Sequence, residues 1–313
     1  MFIYPFTYPK MRSAILLLAL LPLTGCILRH HPPEKLISTA QLKEATLEQL
    51  VETINSSASR LQTLNDTIDL DVSVGGPKKG EVTDYTSIGG YLLVRKPDML
   101  RMIGLMPIVR NRAFDMVSDG RYFKLWIPPK NRFVVGRNDI ETHNPQQPLE
   151  NLRPQHIYDA LLLREIDQQD EIAFIKNGFE IVTDAKQHQV QQSDYEIEVV
   201  RKGEHGWFLS REIIFSRTDL LPHRLLVYDQ DGNLATDSRY EGYKDHNGVN
   251  FPSQIEIWRP QEEYDITLTI VKLQLNEPLQ NDKFALEQPP GAQVVHLDQP
   301  QSSQVTGDAT NGK

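Results

Sequence analysis

Along residues 47–61 the apolar positions fall at helical spacing. Leu47, Leu50, Val51, Ile54 and Leu61 form one stripe with polar residues between them. Thr46 stands just ahead of the stripe and Gln49 follows three residues later. This capping-box spacing predicts an amphipathic helix of roughly four turns. From Thr67 onward the period becomes strand-like. Segments rich in Ile, Val, Tyr, Phe and Thr lie between turn signals at Gly75-Gly76, Gly89-Gly90, Asp119-Gly120, Asn177-Gly178, Asp231-Gly232 and Asn247-Gly248. Successive antiparallel hairpins are expected. Arg121 to Ile127 alternates polar and apolar for most of its length, so one face of that strand is buried and the other wet. Ile266, Leu268 and Ile270 alternate, and Val271, Leu273 and Leu275 then take the opposite phase, which predicts a bulge. A second helix is expected from Pro154, with Ile157, Leu161 and Leu162 on one side.

No composition break or Gly/Ser linker divides residues 36–297. The pattern therefore predicts one domain, a single curved antiparallel sheet with two or three helices on its concave face. A hydrophobic content of 39 % supplies the core for it, and a charged fraction of 24 % excludes wholesale disorder. With 33 Lys and Arg against 42 Asp and Glu, the net charge of −9 makes nucleic acid an unexpected partner. The single cysteine excludes an intramolecular disulfide and any multi-cysteine metal centre.

That cysteine closes the run Met11 to Cys26, MRSAILLLALLPLTGC. Lys10 and Arg12 supply a basic start, and Ala14 to Leu23 an apolar stretch too short to span a bilayer but suited to a signal peptide. Leu23-Thr24-Gly25-Cys26 resembles the lipobox of bacterial lipoproteins. The resemblance implies cleavage between Gly25 and Cys26, with acyl chains, palmitate among them, on Cys26. Several chains hold a protein firmly where one does so only marginally. Residues 1–25 are thus expected to be a lipoprotein signal, with Met11 an alternative start, and residues 26–45 the acylated cysteine and its tether. Losing Lys10 and Arg12 takes the net charge from −9 to −11. Ile27, rather than Asp, follows the cysteine, which by resemblance to the sorting rule of Gram-negative lipoproteins favours the outer membrane, facing the periplasm. Residues 46–297 are read as the folded domain and 298–313, polar and rich in Gly, Ser and Thr, as a disordered tail.

Within the domain, Gly89 to Pro97 reads as a strand ending in Arg-Lys-Pro, followed by Leu100-Arg101-Met102. Phe114 to Gly120 then ends in a Ser-Asp-Gly hairpin, and Tyr122 to Pro128 is an aromatic strand ending at proline. Phe284, Pro289-Pro290-Gly291-Ala292 and Val294-Val295 complete the pattern. These residues resemble the LolA/LolB lipoprotein carrier and receptor family and its lipid-carrying and stress-sensing periplasmic relatives. The resemblance implies a mainly β (α+β) fold: one curved antiparallel sheet forming an unclosed β-barrel. An N-terminal amphipathic helix and one or two further helices cover its concave face. It also implies an apolar cavity for acyl chains or other lipids. A half-barrel cannot fill its own concavity with side chains as a small closed barrel does. Leu100, Met102, Met106, Phe114, Met116, Phe123 and Leu125 are the candidate lining. The flexible thioethers, Met99 among them, suit an adaptable apolar surface.

Catalytic signatures are missing from the sequence. Gly75 to Gly80 lacks the Lys-Ser/Thr of a phosphate loop, and neither H-E-x-x-H nor G-x-S-x-G occurs. Tyr228 to Asn233 resembles the start of a calcium loop but lacks the third Asp or Asn before the glycine and the glutamate at the twelfth position, so it reads as a hairpin turn. The adjacent His30 and His31 read as solvated tether residues, and His188, His205, His223 and His246 are scattered. No enzyme activity, metal or cofactor is expected.

Gly104 to Val109 admits two readings. Pro107 lacks a ladder donor, which argues against a regular central strand. Leu105, Met106, Pro107 and Ile108, rimmed by Arg101, Arg110 and Arg112, form either an apolar tip that contacts a membrane or a bulged strand buried in the core. By resemblance, the receptor of the family carries a protruding apolar loop in a comparable hairpin. Two function classes follow. One is a non-enzymatic lipoprotein that binds lipid or lipoprotein acyl chains and exchanges them with a membrane or a periplasmic carrier protein. The other is a structural or stress-sensing module that binds a protein partner, its cavity closed by its own helices.

Overall fold

The computed structural model describes residues 36–78, 80–139, 152–184 and 186–298. Cys26, the signal segment, the first part of the tether and all of the tail beyond Asp298 lie outside these residues. Two compact units can be distinguished. The smaller holds β1 (Leu36–Ile37) and residues 181–191, with Leu36 and Ile37 pairing in parallel with Val190 and Gln191. The larger holds residues 39–180 and 192–298 and contains the sheet and both α-helices of the described residues.

Helix α1 (Leu47–Arg60) begins at a capping box. The Gln49 amide donates to Thr46 Oγ1 at 3.3 Å, and the Thr46 amide donates to Gln49 Oε1 at 2.9 Å. Backbone and Thr46 hydrogen bonds also lower the pKa of Glu48 in the first turn, as an acid at a helix N-terminus should. The apolar stripe buries Leu50, Val51, Ile54 and Ala58. Helix α2 (Pro154–Leu161) starts on proline, which costs no helical donor there, and buries Ile157, Tyr158, Ala160 and Leu161. Asn55 pins the chain after α2 to α1: its Nδ2 donates to Ile166 O at 3.2 Å and its Oδ1 accepts from Ile166 N at 2.8 Å.

The strands follow in two groups. The first comprises β2 (Thr63–Gly76), β3 (Glu81–Asp84), β4 (Ile88–Arg95), β5 (Met99–Leu105), β6 (Arg112–Ser118), β7 (Tyr122–Ile127) and β8 (Arg132–Arg137). After α2 come β9 (Glu171–Thr183), β10 (Gln189–Gly203), β11 (Gly206–Ser216), β12 (Pro222–Tyr228) and β13 (Leu234–Glu241). The short hairpin β14 (Lys244–His246) and β15 (Val249–Phe251), then β16 (Gln254–Arg259), β17 (Tyr264–Leu275) and β18 (Gln293–His296) complete the chain. The main sheet runs β10-β11-β12-β13-β16-β17-β2-β4-β5-β6-β7-β8-β18, with β3 pairing with β2, and it curves without closing into a barrel. Pairing along this path is antiparallel except at the end, where β18 lies parallel to β8. The first and second halves of the chain meet where β17 pairs with β2.

The phase change in β17 is a register shift between Ile270 and Lys272. Two expected turns are instead strand interior. Gly89-Gly90 lies in β4, where a Cβ on Gly90 would stand 2.3 Å from the Ile103 carbonyl oxygen. Asn177-Gly178 lies in β9, where a Cβ on Gly178 would meet the Glu196 carboxylate. Both glycines serve close approach rather than chain reversal.

Inward-facing residues of the sheet, among them Leu64, Ile68, Leu92, Met102, Ile255 and Leu268, form one core cluster with both helices. The outward face of β4 to β8 is covered differently. Residues 276–292 cross it as a strap whose carbonyls accept from cationic side chains: Arg95 Nη1 to Leu279 at 2.6 Å, Arg101 Nη1 to Lys283 at 2.8 Å and Lys124 Nζ to Leu286 at 3.2 Å. Under the strap, Leu286 packs with Val117 and Phe133 in a second, smaller apolar cluster.

Candidate lipid cavity and its rim

Between α2 and the first half of the sheet lies a cavity of about 360 Å³. Its floor comes from alternate positions on neighbouring strands: Leu70 and Val72 of β2, Met102 of β5, Phe114 and Met116 of β6, and Leu125 and Ile127 of β7. Leu152 and Ile157 close it from the helical side, and Ile266 from β17. Alternation of side chains along a strand is what aims these residues at one space. Tyr85 and Thr86 contribute the lining hydroxyls. Tyr85 and Met106, 38 % and 39 % exposed, stand with Pro107 at the mouth.

Five candidates from the sequence meet here: Met102, Met106, Phe114, Met116 and Leu125. Leu100 and Phe123 do not line the cavity. They point inward from β5 and β7 but are fully buried in the packed core, Phe123 beneath the Arg153 guanidinium at 5.2 Å. Met99, also a candidate thioether, lies at the start of β5 outside the lining. The contributions of Leu70, Val72, Ile157 and Ile266 went unread in the sequence. Helical spacing marked Ile157 and alternation marked Ile266 as buried, but no local signal distinguishes cavity wall from packed core.

The segment joining β5 and β6 is an exposed loop and not a bulged strand buried in the core. Leu105 ends β5 half-buried, Met106 and Pro107 turn toward the cavity mouth, and Ile108 is 99 % exposed. The loop closes on itself, with Met106 N donating to Asn111 O at 2.7 Å and Arg110 N to Met106 O at 3.0 Å. This fold-back places Ile108 at φ 65° and Arg110 at φ 53°. The left-handed region is costly for a β-branched residue. Arg112 bonds to Asp115 at 3.0 Å, and Arg110 stays exposed beside the apolar tip.

On α2, next to Ile157, burial keeps the His156 imidazole neutral, its pKa well below the usual range, with Arg259 and Arg153 adding to the effect. His156 Nδ1 lies 3.2 Å from the Tyr264 hydroxyl. Elsewhere, His223 bonds Asp219 at 2.8 Å and His188 stands 3.5 Å from Asp184. Asp229 Oδ1 accepts from the amides of Asp231 and Asn233, so that segment is a hairpin turn. Among the described residues no group of three or more His, Cys, Asp or Glu is placed to hold a metal ion, and no helix is long and apolar enough to cross a membrane.

No family model matches the sequence, and no curated protein does. Solved structures similar to the chain include a LolA superfamily protein from Nitrosomonas europaea, at 12 % identity and a TM-score of 0.47, covering 78 % of this chain and 99 % of that one. A DUF1329 family protein from Desulfovibrio piger matches at 14 % identity and a TM-score of 0.48, covering 75 % and 94 %. A putative outer membrane lipoprotein-sorting protein domain from Vibrio parahaemolyticus matches at 10 % identity and a TM-score of 0.47, with the same coverage.

Proposed function

We propose that this chain is a lipoprotein anchored through Cys26 in the outer membrane. Facing the periplasm, it binds lipid or lipoprotein acyl chains in its apolar cavity and takes part in their traffic without catalysing a reaction. The observation that carries this reading is the cavity itself. At about 360 Å³ it falls in the size range of small-molecule sites, roughly 300–1,000 Å³. Its walls offer a ligand aliphatic, thioether and aromatic surface, with hydroxyls from Tyr85 and Thr86. Burial of apolar surface is the main gain available there. Among the described residues the two helices leave this space unfilled, which favours a carrier or receptor over a module whose cavity is closed by its own helices. The exposed Ile108 tip beside Arg110 gives the cavity mouth a surface suited to an anionic membrane, where an exchanging ligand would leave or enter. A periplasmic carrier protein is the natural partner on the aqueous side.

The test is mass spectrometry of material that co-purifies with a version beginning after Cys26. Bound acyl-bearing lipid, lost on Met116→Glu in a variant that still folds, is the expected result. A cavity that stays empty after exposure to envelope lipids would overturn the proposal.

A further inference from the structure

Gly104 sits on β5 two residues beyond Met102, on the same cavity-facing side of the strand, and it is buried. A Cβ built there would stand 2.4 Å from Phe114 Cε1 and 2.7 Å from Ile88 Cδ1. The space that a side chain at 104 would fill is therefore taken by two residues that line the cavity. Phe114 reaches it from the paired position on β6, directly opposite Gly104. The glycine is needed at this point because it lets the ring lie back against the sheet. The backbone there has no left-handed angle to explain it.

The volume adds a second constraint. In a liquid, each water-sized group takes about 30 Å³. By that measure a cavity of about 360 Å³ accommodates on the order of a dozen methylene-sized groups. That is one acyl chain of moderate length. Two or three chains of membrane length need several times the space. The mouth, with the hydroxyls of Tyr85 and Thr86, suits the polar end of the same molecule, so the chain enters tail first with its head left outside.

Resting on the acyl-chain reading above, we propose that the cavity takes a single acyl chain and that Gly104 sets its length limit by seating Phe114 and Ile88 away from the ligand. A methyl group at 104 pushes the ring and the Ile88 side chain into the cavity and shortens the limit. Truncation of Phe114 removes the wall and lengthens it. The shared ligand chemistry is one saturated chain on a polar head. A free fatty acid and a monoacyl glycerophospholipid both supply it.

The experiment uses the full acylated chain in nanodiscs, with photoreactive fatty acids of 8 to 18 carbons as probes and intact-mass counting of adducts. One adduct per protein is expected, mapped by proteolysis to cavity residues. Labelling should strengthen roughly fourfold per added methylene up to about 12 carbons and then level off. Gly104→Ala should move the plateau to shorter chains, and Phe114→Ala to longer ones. Phe114→Leu, a gentler truncation, should move it in the same direction if the alanine variant folds poorly. Monoacyl glycerophospholipid that competes as well as fatty acid identifies the first as a natural source, and competition by fatty acid alone identifies the second. Both results support a single-chain site. Two simultaneous adducts, equal competition by diacyl phospholipid, or a plateau unmoved by these variants overturns the inference while leaving acyl-chain binding intact. Labelling by no probe of any length overturns both.

Discussion

Asp66 of β2 lies directly opposite Leu92 of β4, and a carboxyl group 1 % exposed thus faces one of the most deeply buried leucines in the sheet. Neither carboxyl oxygen has a hydrogen-bond partner. Burial pushes the Asp66 pKa up to about 8, and the nearby Gln274 backbone offsets only part of the shift. The folded protein then holds a proton that the unfolded chain releases near pH 4. The contribution to stability is present in full below that pH and declines as pH rises toward 8, at up to about 1.4 kcal/mol per pH unit. Urea unfolding of the native chain between pH 5 and pH 8 should show this loss, and Asp66→Asn should flatten the profile. Parallel profiles for the two proteins would mean that Asp66 is charged and solvated.

The buried stripe of α1 carries a second expectation. Leu50 and Ile54 are each about 1 % exposed and belong to the same cluster as the inward face of the sheet. Leu50→Ala and Ile54→Ala should each lower stability by about 2–5 kcal/mol, the range for a cavity left in a packed core. Thermal melts of both variants check this. Unchanged midpoints in both would show that α1 is a detachable lid rather than part of the core.

Short-range signals in the sequence carried much of this fold. The Thr46–Gln49 box, Pro154 as a helix start and the phase reversal after Ile270 are local features, and each has its expected counterpart in the structure. Gly89-Gly90 and Asn177-Gly178 misled because glycine marks both turns and close approaches, and only the neighbouring strand tells which. Three of the four methionines that the sequence concentrates between residues 99 and 116 line the cavity. Its other walls come from β2, α2 and β17, distant in sequence and brought together by the β17–β2 pairing. Of the strap, the sequence singled out only Phe284 and Pro289 to Ala292, and not as a strap. Its attachment through Arg95, Arg101 and Lys124 was not visible, because a cation bonding to a carbonyl leaves no pattern in sequence.

Arg101 joins the strap to the sheet by two routes. Its Nε and Nη2 donate to the two oxygens of Asp115 at 3.0 and 2.8 Å, while Nη1 donates to Lys283 O. The Asp115 side chain is fully buried and that of Arg101 is nearly so. Arg101→Ala leaves the carboxylate with the half-exposed Arg112 and should cost about 3 kcal/mol or more, since an uncompensated buried charge is far more harmful than a missing pair. The double variant Arg101→Ala/Asp115→Ala should recover part of that loss. Additive losses in a double-mutant cycle would show that the two side chains are not coupled.

Ile108 offers the sharpest separation of stability from function. It is fully exposed, so it contributes little to packing, and it holds a left-handed backbone angle that costs a β-branched residue on the order of 1–3 kcal/mol. Glycine adopts that angle freely but also gains entropy in the unfolded chain, so the two effects partly offset. Ile108→Gly should therefore leave stability unchanged or raise it by up to about 1 kcal/mol. The same substitution removes the apolar tip beside Arg110. Binding of a version beginning after Cys26 to vesicles containing anionic lipid should fall. Ile108→Glu should fold normally and bind still more weakly, because it adds a charge of the wrong sign at the point of contact. Ile108→Leu keeps the apolar surface and should bind as the native chain does. If all three variants associate with vesicles equally, the tip does not touch the membrane. If Ile108→Gly destabilises the protein, the loop is held by packing that its exposure does not reveal.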